Sequence, residues 1–336
     1  MRSLSAVKGR SGYGRGVRWL LTILAVLLVV PRYAGDERLP VIGDAPRIIA
    51  APYVPKGGWP ARIGALVPVG GVTLSSFDPA FGGFSALAMR RGRAILLSDG
   101  GNVVSFAMRG GRIMDARGDV LRDGPGIGWD RPDRDSESLA LDPASGTAWV
   151  GYETTNQIWR YMPGFARSAA HRQPAPMRHW ALNQGAESLV RLPDGRFVAL
   201  AERKPSRAVR YGVLFSGDPT RTDTRAAAFL FRPPARYDPS DAAVLPNGDL
   251  LVLTRRFQYP FRFTAKLVRV RRDATRAGAL VSGEVIATLA PPVLGENAEG
   301  VAVTREGGET FVWIVTDNDG MVWRPTYLLK LRLPPG

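Results

Sequence analysis

The sequence of 336 residues predicts an all-β fold, a β-propeller of four-stranded antiparallel blades. Three observations predict it: a repeat of fifty-odd residues, tight-turn chemistry within each repeat, and 38 Gly and 27 Pro scattered along the chain rather than clustered. Five segments share one layout, an apolar run, a turn and a second, more apolar run. They are FSALAMRRGRAILLSD (84–99), ESLALDPASGTAWVGYE (137–153), ESLVRLPDGRFVALAE (187–202), DAAVLPNGDLLVLTR (241–255) and EGVAVTREGGETFVWIVTD (299–317). With Ser85, Glu137, Glu187, Asp241 and Glu299 taken as equivalent, the intervals are 52, 50, 54 and 58 residues. Strand–turn–strand content at such a period indicates propeller blades.

The elements follow in order. Residues 1–34 hold six basic and no acidic residues, and WLLTILAVLLVV (19–30) follows a basic start. That is the pattern of a secretory signal peptide or, uncleaved, of an N-terminal membrane anchor. Either reading exports the rest of the chain, to the periplasm or to the periplasmic side of a membrane, with residues 19–30 as the membrane-associating segment. Residues 35–60 are Pro-rich and aperiodic and read as a linker or extended arm. Residues 61–336 form the propeller.

Within it, DPASG, LPDG and LPNG place Pro, Asp or Asn, and Gly where hairpins need a preset or positive φ. NVVSFAM (102–108), NQIWRYM (156–162), AVRYGVLF (208–215), KLVRVRR (266–272) and TYLLKLRL (326–333) are third strands. MRHWAL (177–182), AAAFLFR (226–232) and GEVIATL (283–289) are outer strands. The last repeat runs out of chain after its third strand, so RIGALVPVGGVTL (62–74) is expected to close the ring. The count is five blades, or six if a degenerate blade lies in 36–83.

Composition narrows the chemistry. Zero cysteines exclude disulfides, thiolate catalysis and Cys-ligated zinc. The net charge is +15, but without the six basic residues before position 35 the balance is 39 basic to 30 acidic, or +9. This excess is spread through loops with no nucleic-acid motif, so no nucleic-acid partner is expected. No feature calls for a second copy, and a monomer acting on a small molecule is expected.

The ends of a hairpin's first and second strands are neighbours, and the first strand of each propeller blade lines the channel. Ser85 with Asp99, Glu137 with Glu153, Glu187 with Glu202, Asp241 with Arg255 and Glu299 with Asp317 should therefore gather at one mouth, eight of the ten being carboxylates. Close carboxylates raise one another's pKa or recruit a cation. All-oxygen donors indicate Ca²⁺, with Mg²⁺ second. On this reading Glu137, Glu187, Asp241 and Glu299 hold the cation and Glu153, Glu202 or Asp317 accepts a proton. Arg255, Arg256 and Asp99 face the substrate. The bland alternative is that these acids bond backbone N–H groups and only shape turns.

The phrases DSESLAL, GAESLVRLPDGRFVALAER, SDAAVLPNGDLLVLTRRF and ENAEGVAVTREGGETFVWIVTDND resemble, over about 84–333, the phytase-like domain described as having esterase-like activity. The resemblance implies an exported propeller hydrolase of ester or phosphate-ester substrates and carries no catalytic assignment. The sequence departs from its pattern at Ser85, and at Glu137 and Glu187, which precede Ser rather than Gly. The alternative is a non-enzymatic envelope propeller that binds a sugar, a phosphate or a protein, with the cation as a structural staple. A serine hydrolase is disfavoured, since no G-x-S-x-G is present and the only histidines are His171 and His179. The Gly-rich insert at 122–135 reads as a mobile loop or a lid over the mouth.

Overall fold

Strands apolar on both faces need covering on both faces, and a ring of blades supplies the cover from the two neighbours. The computed structural model describes residues 17, 19–22, 39–128, 131–165, 167–181, 185–206, 208–259, 262–321 and 323–335. The expected signal or anchor at 1–34 lies almost wholly outside these residues; among them, 17 and 19–22 are helical. No described helix is long and apolar enough to cross a membrane. The chain divides into Met1–Arg38 and Leu39–Gly336.

The second unit is the propeller. It opens with β1 (Ile48–Tyr53) and β2 (Val67–Ser76). Blade one is β3 (Phe84–Arg90), β4 (Arg93–Ser98), β5 (Asn102–Arg109) and β6 (Arg112–Val120), and blade two is β7 (Ser136–Leu141), β8 (Ala148–Tyr152), β9 (Gln157–Tyr161) and β10 (Ser168–Arg172). Blade three is β11 (Ala186–Arg191), β12 (Phe197–Ser206), β13 (Val209–Phe215) and β14 (Ala226–Arg232). Blade four is β15 (Asp238–Val244), β16 (Leu250–Gln258), β17 (Arg262–Val270) and, after β18 (Leu280–Ser282), β19 (Glu284–Leu289). Blade five is β20 (Asn297–Glu306), β21 (Glu309–Asp317) and β22 (Thr326–Leu333), completed by β2, which pairs antiparallel with β22. The ring is closed by the N-terminal segment, as its sequence predicts.

The count of five blades holds among the described residues, and 48–53 and 67–76 are the outer strands of blade five. Two expectations change, and one strand is new. From Leu39 on, the expected arm belongs to the propeller unit, and its IIAAPY stretch is β1. The outer strand of blade two is Ser168–Arg172, not 177–182: Pro174 and Pro176 favour a 3₁₀ turn at Ala175–Met177, which buries Met177 and Trp180. The β18 segment, from the long β17–β19 connection, adds a parallel fifth strand to blade three.

The core is five apolar clusters, one at each junction between blades. Strand alternation feeds two junctions at once. In β4, Ala94 and Leu96 pack toward blade five while Ile95 and Leu97 pack toward blade two. Inner strands are also joined by hydroxyls: Ser85 Oγ donates to Ser136 O at 2.6 Å, Ser138 Oγ to Ala186 O at 2.6 Å, and Ser240 Oγ to Ala298 O at 3.0 Å.

Candidate metal centre at the channel mouth

Every inner hairpin carries a β-bulge near the start of its inner strand. The extra residues are Ser85, Glu137, Glu187, Ser240 and Glu299, and a bulge re-aims the side chain it inserts. Here four of the five turn into the mouth, where they meet Asp99, Glu153, Glu202, Arg255 and Asp317 from the second strands. The resulting cavity of about 270 Å³ is lined by eight carboxylates, Asp319 being the eighth, together with Arg255, Asn297, Ser85 and Gly83.

Asp241 is not among them. Blade four's bulge falls at Ser240, so Asp241 sits one position further in, 2% exposed, and accepts hydrogen bonds from Ala242 N at 2.7 Å and Val301 N at 2.7 Å. Burial pushes its carboxyl well above the usual range, while N–H donors from Val301, Ala242 and Leu87 pull it back. It ties three blades together and is no ligand at the mouth. Arg256 also lies outside the cavity, since alternation along β16 turns it away from the face that Arg255 occupies. The remaining predicted residues, Glu137, Glu187, Glu299, Glu153, Glu202, Asp317, Asp99 and Arg255, are brought together.

Two overlapping groups of carboxylate oxygens, Asp135/Glu137/Glu153 and Glu153/Glu187/Glu202, each lie within 4.8 Å of one another. Burial pushes Glu137 and Glu187 well above the ordinary glutamate range, and neighbouring acids push them further. Glu153 is raised to about 7 by burial and then by Asp135 and Glu202, against the N–H of Gly185, which donates to its Oε1 at 3.2 Å. Burial, with Arg255 opposing it, brings Glu299 to about 7; burial, Glu299 and Asp99 bring Asp317 to about 8.

Arg255 is the cavity's cation. Its Nη2 is 3.3 Å from Glu202 and its Nε 3.1 Å from Glu299. Burial would lower its pKa, but Glu299, Glu202 and their neighbours hold it above the usual value. Asp319 is ion-paired with the buried Arg324, and one guanidinium cannot balance the other seven carboxylates; a hard cation fits the donors present, which are all oxygen, and among the described residues the buried Asn297 Oδ1 has no hydrogen-bond partner.

Sequence reasoning missed Asp135, Asn297 and Asp319. Asn297 and Asp319 had a signal in the turn DNDG (317–320), whose Asp319 N–H donates to Asp317 Oδ1 at 2.9 Å and whose Asp319 Oδ1 accepts from Asn297 Nδ2 at 3.0 Å. Of the insert at 122–135, the described residues 122–128 and 131–135 form a strap around a buried arginine: Arg134 donates to Pro125 O and Arg122 O, each at 3.0 Å. His171 stacks on Trp159 with centroids 4.2 Å apart, and neither histidine lines the cavity.

Residues 79–320 match the family described as Phytase-like, esterase-like activity of phytase. No functionally curated protein matches the sequence. Among solved structures, the chain is similar to a glutaminyl cyclase of Myxococcus xanthus at 10% identity, with TM-score 0.42 and coverage of 76% of this chain and 92% of that one. It is similar at 10% identity and TM-score 0.38 to a hydrazine synthase of Kuenenia stuttgartiensis, covering 72% of this chain but 58% of that one.

Proposed function

We propose, because the chain belongs to the phytase-like family with esterase-like activity, that it is an exported, cation-dependent hydrolase of ester or phosphate-ester bonds whose centre is the channel mouth. The observation that carries the reading is the two overlapping carboxylate triads in one cavity with the orphaned Asn297 Oδ1. Glu137, Glu187 and Glu299 remain as ligands, with Glu153 and Glu202 added because they sit inside the triads. A divalent cation, Ca²⁺ or Mg²⁺, supplies charge neutralisation and Lewis acidity there when bound.

The chain's own residues do the rest. Asp317 lies outside both triads, and a carboxyl held at about 8 is matched to taking a proton from water near neutral pH. Asp99 stands beside it on the same wall, positioned to orient water or a substrate hydroxyl. Arg255, engaged by Glu202 and Glu299, sets the charge of the cavity more than it offers itself to an anion. The basic-then-apolar N-terminus supports a periplasmic or membrane-anchored location.

Glu187→Gln is expected to lose both Ca²⁺ uptake and hydrolysis of an aryl ester and an aryl phosphate. Asp317→Asn should retain Ca²⁺ and lose about a hundredfold or more in turnover. Wild-type turnover in Glu187→Gln would sink the reading. A second reading, a cation staple in a non-enzymatic envelope propeller that binds a sugar, phosphate or protein, is favoured by one observation. The Glu153/Glu187/Glu202 triad spans blades two and three, so a cation there also joins blades. Under it, chelation lowers the melting temperature while no ester is turned over.

A further inference from the structure

Blade one has long outer strands, β5 of eight residues and β6 of nine, and its neighbour has short ones, β8, β9 and β10 of five residues each. The shorter blade leaves part of blade one uncovered, and a cavity of about 520 Å³ opens between the two. It reaches the β3–β4 turn, whereas Ser85 and Asp99 lie at the other end of that hairpin, so the cavity is remote from the mouth. Its floor is apolar: Ile95 and Val103 of blade one meet Leu141 and Phe165 of blade two.

Its rim is arginine. Ile95 pairs with Ser105 and Ser105 with Arg117, and Arg93 is two positions from Ile95, so alternation sets Arg93 and Arg117 on the face that Ile95 occupies. Arg90 and Arg91 are added by the turn. Two of the four are committed. Arg93 donates to Asp115 Oδ2 at 2.6 Å and to Ser105 O at 3.2 Å, and Arg90 to Pro143 O at 3.1 Å and Ala144 O at 3.3 Å. The other two are available. Arg117 meets Asp115 at 3.4 Å with the two side chains 70% and 58% exposed, a pairing that holds it weakly, and Arg91 makes no ion pair among the described residues. The lining acid Asp119 pairs with Val103, on the far side of the Ser105–Arg117 row from Arg93, which leaves the turn end of the groove cationic.

The backbone adds a second observation. Arg91 (φ 49°) and Phe165 (φ 61°) both hold left-handed conformations that Gly or Asn adopt at less cost, and Arg91 opens a turn whose next residue, Gly92, also has positive φ. A guanidinium is therefore kept where the turn alone favours Asn. The related groove between blades three and four is smaller, about 210 Å³, and its Arg196 is already paired with Asp194 at 2.8 Å.

We propose that the groove between blades one and two is a second binding site, for a small organic anion. The forks of Arg91 and Arg117 hold a carboxylate or phosphoryl head, and Ile95, Leu141 and Phe165 receive the apolar body. The site does not depend on what the mouth turns over.

Calorimetry of the full chain, stripped of divalent cations so that the carboxylate mouth repels anions, tests it with octanoate and with phenylphosphonate, which has no ester bond. Binding of either is expected, the tighter of the two naming the head group, with octanol and inorganic phosphate each roughly tenfold or more weaker because each lacks one half of the ligand. Arg91→Asn and Arg117→Ala should each weaken the anion by a similar factor, while Arg272→Ala, in the smaller groove, leaves it unchanged. Arg91→Asn is expected to melt no lower than the parent, since Asn suits the left-handed position, so its loss of affinity is not a loss of fold. Binding of neither anion, parent-like affinity in both arginine variants, an equal loss in Arg272→Ala, or octanol as tight as octanoate would overturn the proposal.

Discussion

Glu187 and Ser240 hold the same position in successive blades, yet one is an acid aimed into the mouth and the other a hydroxyl that fastens blade four to Ala298. The spacing of repeats misassigned the second, taking Asp241 as the equivalent. A bulge adds one residue without altering composition, and a slip of one residue moves a side chain to the other face. The turn supplies the better ruler: Glu137, Glu187 and Ser240 each precede a turn proline, Pro143, Pro193 and Pro246, by six residues. Eight of the ten predicted site residues still reach the cavity: five are second-strand positions that follow from hairpin pairing alone, and Glu137, Glu187 and Glu299 are bulge residues that the repeat spacing aligned correctly. The same distinction separates two variants. Asp241→Ala removes the acceptor of buried N–H groups and is expected to cost about 3 kcal/mol in chemical denaturation, while Ca²⁺ uptake by the folded fraction is retained. Arg255→Met strips the mouth of its counter-charge; cation-free stability should fall by about 3 kcal/mol and Ca²⁺ should bind more tightly in calorimetry.

At the scale of elements, the strands legible in the sequence were those buried on both faces, where each residue must be apolar. The outer strand of blade two, Ser168–Arg172, was not legible: half-exposed SAAHR carries no such constraint, and Met177 and Trp180 mimicked a strand because a buried 3₁₀ turn also needs apolar residues three apart. The strap at 122–135 resembled a mobile loop in composition, and what fixes it is Arg134, whose guanidinium occupies the space a Cβ at Gly124 or Gly128 would take. Arg134→Met should free the strap. Trypsin is then expected to cut after Arg122 at a rate well above that of the parent, and equal cleavage rates would show that the strap is held by other means. A glycine explains one departure between repeats: Gly300 follows Glu299 where Glu137 and Glu187 are followed by Ser, and a Cβ there would lie 2.8 Å from the Leu87 backbone of the neighbouring blade.

For the whole molecule, ring closure was legible because the last repeat lacked a strand that only the N-terminal segment could supply, whereas β1 gave no period-two signal in its Pro-rich surroundings. The ring concentrates carboxylates that stay protonated in the fold above the pH at which they ionise in the unfolded chain. With Glu153 and Glu299 at about 7 and Asp317 at about 8, the folded chain binds more protons than the unfolded one between pH 4.5 and 8. Stability without cation must therefore fall as pH rises through that window. A cation bound to the ionised mouth reverses the trend, because it binds the folded state alone.

The most direct test is the melting temperature of the full chain at pH 8, measured with Ca²⁺ and with a chelator, and repeated at pH 5. A mouth that holds a divalent cation predicts a rise of several degrees with Ca²⁺ at pH 8, a much smaller one at pH 5, and neither in Glu187→Gln. Identical melting with Ca²⁺ and with chelator at pH 8 would contradict the account.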